Sequence, residues 1–284
     1  MRIRGTRFAA VFMATALAAT MSACGDDDDG GSGSSTLGKA KKAKKLRVGT
    51  KFDQPGFGQK DPSTGKVEGF DVEIAKIIAK AMGIAEDKIE YVEAVSANRE
   101  PFIQQDKVDL VAATYTINDK RKELIAFAGP YYIAGQDIMV KKGNPKGIKK
   151  VADLDDKKVC SVSGSTSEKN IKEKAPKAKL TLFKTYSECA EELRNDKVDA
   201  VSTDNVILIG LIDKAKEDFE LVGDKFTDEP YGIGVKKDDK EFRDFVNDTL
   251  EKSYKDGSWK AAYDKTVGKL VPGGTPEPPA LNRY

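Results

Sequence analysis

Thr114-Tyr115-Thr116-Ile117-Asn118-Asp119-Lys120-Arg121 follows an apolar run with hydroxyls and a guanidinium close together in sequence. The end of a strand leaves backbone N–H groups free, Thr116 adds a hydroxyl, and Arg121 adds a planar fork suited to a carboxylate. That is binding chemistry aimed at an acid. The chain contains no histidine, which excludes imidazole catalysis and most zinc or iron sites. The run Asp26 to Asp29 is read as a solvated charge cluster beside a linker rather than a calcium site. No cofactor and no metal are expected.

Such a site needs strands that end where it lies. Val108 to Ala113 reads as a strand leading into Thr114, and Leu46 to Thr50 and Ile89 to Ala94 read as two more. Asp71 to Met82 reads as a helix, because Ile74, Ile77, Ile78 and Ala81 fall at i, i+3, i+4 and i+7. Asp71 is its expected N-cap and Gly83 its stop. Arg99 to Gln105 is a short helix. The pattern restarts at Gln136, with strands at 136–142, 158–162, 180–184, 198–202 and 231–236. Helices are expected at 167–174, 187–194 and 206–215, with an amphipathic one carrying Phe242, Phe245, Val246 and Leu250. Alternation of this kind gives βαβ units and a mainly parallel sheet. Lys107-Val108-Asp109 returns as Lys197-Val198-Asp199, each time after a helix end and a charged turn. The repetition implies two related lobes with a crevice between them, and open α/β sheets bind ligands at the carboxyl ends of their strands.

The N-terminus points outward. Arg2, Arg4 and Arg7 precede the apolar stretch Phe8 to Ala19, the pattern of a secretory signal, 1–23. The stretch is too short for a comfortable membrane span of roughly 20 residues. Met21-Ser22-Ala23-Cys24 resembles a bacterial lipobox, with Met where Leu is usual, so Cys24 is the expected lipid attachment point. Residues 24–45, rich in Asp, Gly, Ser and Lys, are expected to form a flexible tether. Of 48 basic and 46 acidic residues, the signal holds three arginines, leaving 45 against 46. That balance argues against nucleic acid as a partner. Of the three cysteines, Cys160 and Cys189 remain once Cys24 carries lipid. In an oxidising exterior the pair reads as a disulfide; the other reading is two buried thiols. The Pro/Gly-rich end, 271–284, is expected to be disordered.

The stretch Thr114 to Arg121, its continuation Phe127-Ala128-Gly129-Pro130-Tyr131-Tyr132, and Gly69-Phe70-Asp71-Val72-Glu73-Ile74-Ala75 together resemble the family 3 bacterial extracellular solute-binding proteins, receptors of polar amino acid ABC importers. The resemblance runs in order from about 46 to 270. It implies an α/β, two-lobed, periplasmic-binding-protein-like fold (type II, Venus flytrap) with a ligand cleft between the lobes. Lobe 1 would be 46–132 plus 231–270, and lobe 2 would be 133–230. It also implies that Thr116 and Arg121, helped by backbone at Thr114, hold an α-carboxylate. Asp204 would hold the α-ammonium, and the loop Ser163-Gly164-Ser165-Thr166 would close on the carboxylate.

Within that resemblance, Ser96 and Arg99 stand where receptors for acidic amino acids meet the distal carboxylate, and Lys51 falls where such members carry another cation. Gly49 to Gly56 and Asn98 to Phe102 are similar to glutamate-binding proteins of actinobacterial importers, which also carry the Cys160 and Cys189 pair. Tyr186 replaces the His that some acidic-amino-acid receptors present; it donates a hydrogen bond without charge. Phe52 and Phe57 are expected either to wall the ligand or to pack in the core. The resemblance implies L-glutamate or a related amino acid as ligand, ABC permease subunits as partners, a monomer, and a lipid-anchored place on the outer face of the cell membrane. Glutamine, a sensor role or an enzyme on the same fold are the alternatives. An enzyme would need an acid such as Asp53 or Glu68 for proton transfer, and nothing around them in sequence supports that.

Overall fold

The computed structural model describes residues 35–284. The expected signal peptide, Cys24 and the first part of the tether lie outside the described residues. The described chain opens with helix α1 (Thr36–Ala43), strand β1 (Leu46–Thr50) and a small meander of β2 (Asp53–Gln54), β3 (Gly58–Lys60) and β4 (Val67–Glu68). Helix α2 (Phe70–Ala81), β5 (Ile89–Glu93), α3 (Arg99–Gln104), β6 (Leu110–Val111), α4 (Asp119–Lys122) and the long β7 (Ala126–Ala134) follow. The second half runs β8 (Gln136–Lys141), β9 (Lys158–Val162), α5 (Thr166–Lys174), β10 (Lys179–Phe183), α6 (Tyr186–Arg194), β11 (Ala200–Asp204) and α7 (Asn205–Lys214). It closes with β12 (Phe219–Leu221), β13 (Glu229–Val235), α8 (Lys240–Asp256) and α9 (Ser258–Lys265).

These strands build two five-stranded sheets, ordered β5-β1-β6-β13-β7 and β10-β9-β11-β8-β12. In the first, β1 is parallel to both β5 and β6; in the second, β9 is parallel to both β10 and β11. Each sheet therefore sends three strand ends the same way, and the loops after them face one another. We refer to the halves around these sheets as the first and second lobes. Strands β7 and β13 pair antiparallel in the first sheet and carry the chain to and from the second.

Separate cores hold each sheet. In the first lobe Phe70, Tyr131, Tyr231, Trp259 and Tyr263 are fully buried around Phe57. Phe57 meets Phe70, Tyr132 and Tyr231 edge-on at 6.1, 5.6 and 5.7 Å, so it is core and walls no ligand. Such edge-to-face contacts add to simple area burial. Phe52 is half-exposed under the Lys60 ammonium. In the second lobe Cys160 of β9 is bonded to Cys189 of α6, with Cα atoms 5.5 Å apart.

Four expectations need correction. The tether is not irregular as far as residue 45, since α1 is a helix whose Leu37 and Ala40 are buried. Ser35 caps it, and Asp239 accepts from the Thr36 N–H at 2.7 Å. Two apolar residues at i and i+3 suffice once a partner surface exists. The tail is not disordered either. Asn282 N–H donates to Gly129 O at 2.8 Å, the Tyr284 hydroxyl accepts from Phe127 N–H at 2.7 Å, and Arg283 pairs with Asp248 and Glu251. The N-cap of α2 is Gly69 rather than Asp71, which is buried inside the first turn. Strand β7 and the β2–β4 meander are additions: Gly129-Pro130 interrupts the apolar run of β7, and the meander strands are only two or three residues long. Gly83 does end α2, with φ at +75°.

Candidate functional site

The strand ends that face one another carry the charged and hydroxylic residues. Thr50 ends β1 and hands on to Lys51, and the chain after β6 reaches Thr114 and Thr116. Arg99 opens α3 and Arg121 lies in α4. From the second lobe, the loop after β9 delivers Gly164 and Thr166, α6 begins at Tyr186, and β11 ends on Asp204. Ser96, Arg99, Thr114, Thr166, Tyr186 and Asp204 line one narrow crevice between the lobes. Thr116 and Arg121 line a wider groove beside it, which Thr166 shares. Lys51 stands behind Ser96, its ammonium 2.8 Å from the Ser96 hydroxyl.

The cations are buried and poorly matched. Lys51 and Arg99 are 3% and 2% exposed, and neither forms an ion pair among the described residues. Burial, and the Arg99 charge after it, push the Lys51 ammonium down to about 7. Arg99 spends its donors on the carbonyls of Ala113 (3.0 Å) and Thr114 (3.1 Å), with Gly164 O at 3.5 Å. Arg121 donates to Thr116 O at 2.7 Å and Gly164 O at 3.1 Å, and its Nε pairs with Glu100 at 3.1 Å. Both guanidinia lie over the Tyr115 ring, at 4.3 and 4.9 Å. A carbonyl is a weaker acceptor for guanidinium than a carboxylate. The Gly164 carbonyl, reached by both arginines, thus occupies a place that an anion would fill better.

The opposite charge is also incomplete. Asp204 Oδ2 accepts from the Tyr231 hydroxyl at 2.5 Å, while Oδ1 is buried without a partner. Burial, reinforced by the Glu229 charge, pushes the Asp204 carboxyl up to about 7. An unpaired carboxylate oxygen in a closed cavity is costly and calls for a donor. An ammonium group would satisfy it.

Some residues act differently from expectation. The Thr114 N–H is not free, since it donates to Asp71 Oδ2 at 2.8 Å, and its hydroxyl donates to Gln54 at 2.9 Å. What Thr114 turns toward the arginine is its carbonyl. Thr166 donates to Glu229 at 2.8 Å and lies 3.5 Å from the Thr116 hydroxyl. Glu229 and Asp71 were not foreseen. Asp71 had a signal: it shares the buried stripe of Ile74, Ala75 and Ile78, where a carboxylate needs a structural reason to sit. Glu229 had none, because Thr227 is its one near partner and the cleft residues Thr166 and Asn170 are far away in sequence. Among the described residues no cluster of three or more His, Cys, Asp or Glu could hold a metal ion, and no helix is long and apolar enough to cross a membrane.

The profile of the bacterial extracellular solute-binding proteins, family 3, matches residues 46–269. The chain belongs to this family. It is 41% identical to the glutamate-binding protein GluB of Corynebacterium glutamicum over 95% of each chain. It is also 41% identical to the glutamine-binding protein GlnH of Bacillus subtilis, over 87% of this chain and 92% of that one. Among solved structures, an ancestral arginine-binding protein bound to glutamine superposes with a TM-score of 0.74 at 41% identity, covering 79% of this chain and 98% of that one. The two-lobed fold is therefore the family's, and the protein is a solute-binding protein rather than an enzyme.

Proposed function

We propose that this protein is the extracellular receptor of an ABC importer and that it captures L-glutamate, with aspartate as a weaker ligand, between its lobes. The observation that carries the reading is the set of unmatched buried charges: Lys51 and Arg99 without an acid partner, facing a cleft where Asp204 Oδ1 lacks a donor. Glutamate brings two carboxylates and one ammonium. Its α-carboxylate would replace the Gly164 carbonyl at Arg121, beside the Thr116 and Thr166 hydroxyls. Its ammonium would meet Asp204, and its distal carboxylate would meet Arg99, Ser96 and Lys51. Tyr186, buried beside Asp204, would complete the wall.

Glutamine is the competing ligand, and the relatives named above include receptors for both. Charge favours glutamate, because a neutral amide would leave Lys51 buried with only a hydroxyl, and an uncompensated buried charge costs several kcal/mol. Isothermal titration of the protein with glutamate, aspartate, glutamine and arginine tests the reading; no heat from any acidic amino acid would refute it. Arg99→Ala should cost more for glutamate than for glutamine, and an equal loss would refute the assignment of the distal pocket.

The receptor would act as a monomer at the outer face of the membrane, held by acyl chains on Cys24 and delivering ligand to permease subunits. A tether of about 10 residues between Cys24 and α1 would keep it near the permease while letting it turn. Cys24→Ala should release the protein into the medium, with transport reduced although ligand affinity is kept.

A further inference from the structure

We propose that the turn Asp53–Pro55 is a closure latch that sets affinity for every ligand without touching any of them. The inference rests on the cleft between the sheets being the ligand site. The turn, β2 with the residue after it, belongs to the first lobe and pairs with β3 there, yet it also meets two helices of the second. Asp53 Oδ2 accepts from the Tyr186 N–H at 2.9 Å. Tyr186 is the first residue of α6, so a carboxylate sits at the positive end of a helix, where anions are favoured. Thr185 caps the same helix by accepting from the Glu188 N–H, which leaves the Tyr186 donor free for the other lobe.

A second grip lies one helix further on. Gly210 of α7 packs against Pro55, and a Cβ there would stand 2.4 Å from the Pro55 carbonyl oxygen. Only a glycine permits this approach. The turn is thus clasped between α6 and α7, and neither Asp53, Pro55 nor Gly210 lines the cavity.

The clasp is mechanically connected to the ligand site. Helix α6 presents Tyr186 to the cavity and is bonded through Cys189 to Cys160 of β9. The loop after β9 delivers Gly164, whose carbonyl both arginines reach. Seating Asp53 on α6 therefore brings the loop after β9 up to the first-lobe arginines, where a ligand carboxylate takes the place of the Gly164 carbonyl. A contact present only in the closed form multiplies the affinity of every ligand that needs closure by one factor and leaves ligand ratios alone.

The test uses Asp53→Ala and Gly210→Ala in the full chain. The first removes the helix-end acceptor; the second fits a helix well but holds Pro55 away. Both should weaken glutamate and glutamine equally, by about tenfold, with faster dissociation in stopped-flow measurements. The ligand-free variants should show a larger radius of gyration by small-angle scattering, and Gly210→Ala should melt no lower than the parent. Unchanged affinity, or a changed glutamate-to-glutamine ratio, would overturn the latch. The scattering needs no ligand, so it judges the latch even if the amino acid assignment fails; unchanged compactness in both variants also overturns it.

Discussion

Lys51 Nζ donates to Ser96 Oγ at 2.8 Å, so a buried ammonium ends on a neutral hydroxyl. Ammonium groups removed from water need a counter-charge or they lose their proton. Replacing the charge with a similar apolar shape, Lys51→Met, should therefore cost glutamate about 30-fold in affinity, or about 2 kcal/mol. Glutamine should change by less than about threefold. Titration calorimetry with both ligands decides it, and equal losses would mean that Lys51 only supports the pocket wall.

The pH response should differ between the two ligands. Asp204 must be ionised to hold an ammonium, and in the free protein its carboxyl is pushed up to about 7. Below that value a proton must leave on binding, so affinity for both amino acids should fall as pH drops, by at most about tenfold per unit. Lys51 must be protonated to meet a second carboxylate, and its ammonium is pushed down to about 7. Above that value a proton must be taken up, so glutamate affinity should fall again as pH rises. Glutamine should instead reach a plateau. Asp71 is also pushed up to about 7, but it faces Tyr131 and Thr114 and should affect both ligands alike. Titrations between about pH 5 and about pH 9 should give a bell for glutamate and a rising curve for glutamine; two identical curves would remove Lys51 from the pocket.

Asp204→Asn keeps the shape and an acceptor for the Tyr231 hydroxyl while removing the charge. Loss of one partner in a buried charge pair costs about 2–5 kcal/mol, so binding of all amino acids should weaken by about 30-fold or more. Stability should move the other way. A carboxyl whose folded value lies above its unfolded one stabilises least once the pH exceeds the folded value. The ligand-free variant should therefore melt as high as the parent, or higher, at about pH 8. A variant that binds normally would show that the ammonium lies elsewhere.

Opening the Cys160–Cys189 bond frees a loop with a sequence separation of 29. The chain-entropy relation puts its contribution at about 3.5 kcal/mol. Reduction, or Cys160→Ser with Cys189→Ser, should lower the melting temperature by about 10 °C in a domain of this size. A melting curve with and without reductant measures it.

Much of the site was legible because its residues follow strand ends, and strands such as Leu46–Thr50 and Lys158–Val162 announce themselves by composition. Arg99 at the start of α3 and Asp204 at the end of β11 could be placed for the same reason. What escaped depends on distant partners. Helix α1 buries only Leu37 and Ala40 and is held by Asp239, 203 positions away. Asp71 was misread as a cap because a local rule fits it, whereas its real partners are Thr114 and Tyr131. Glu229 belongs to the cleft only because β13 returns to the first sheet beside Thr116.

Strand β7 forms one margin of the first sheet, and the margin of a sheet offers unpaired amides and carbonyls to any passing strand. The chain's own last residues answer two of these groups, through Asn282 on Gly129 and Tyr284 on Phe127. Lys122 and Arg243 lie over the Tyr284 ring and help to seat it. The strand that carries the chain between lobes is thereby denied to neighbouring molecules as a template. Copies crowded on one surface could collide without joining edge to edge, and trimming the final four residues should show first as aggregation.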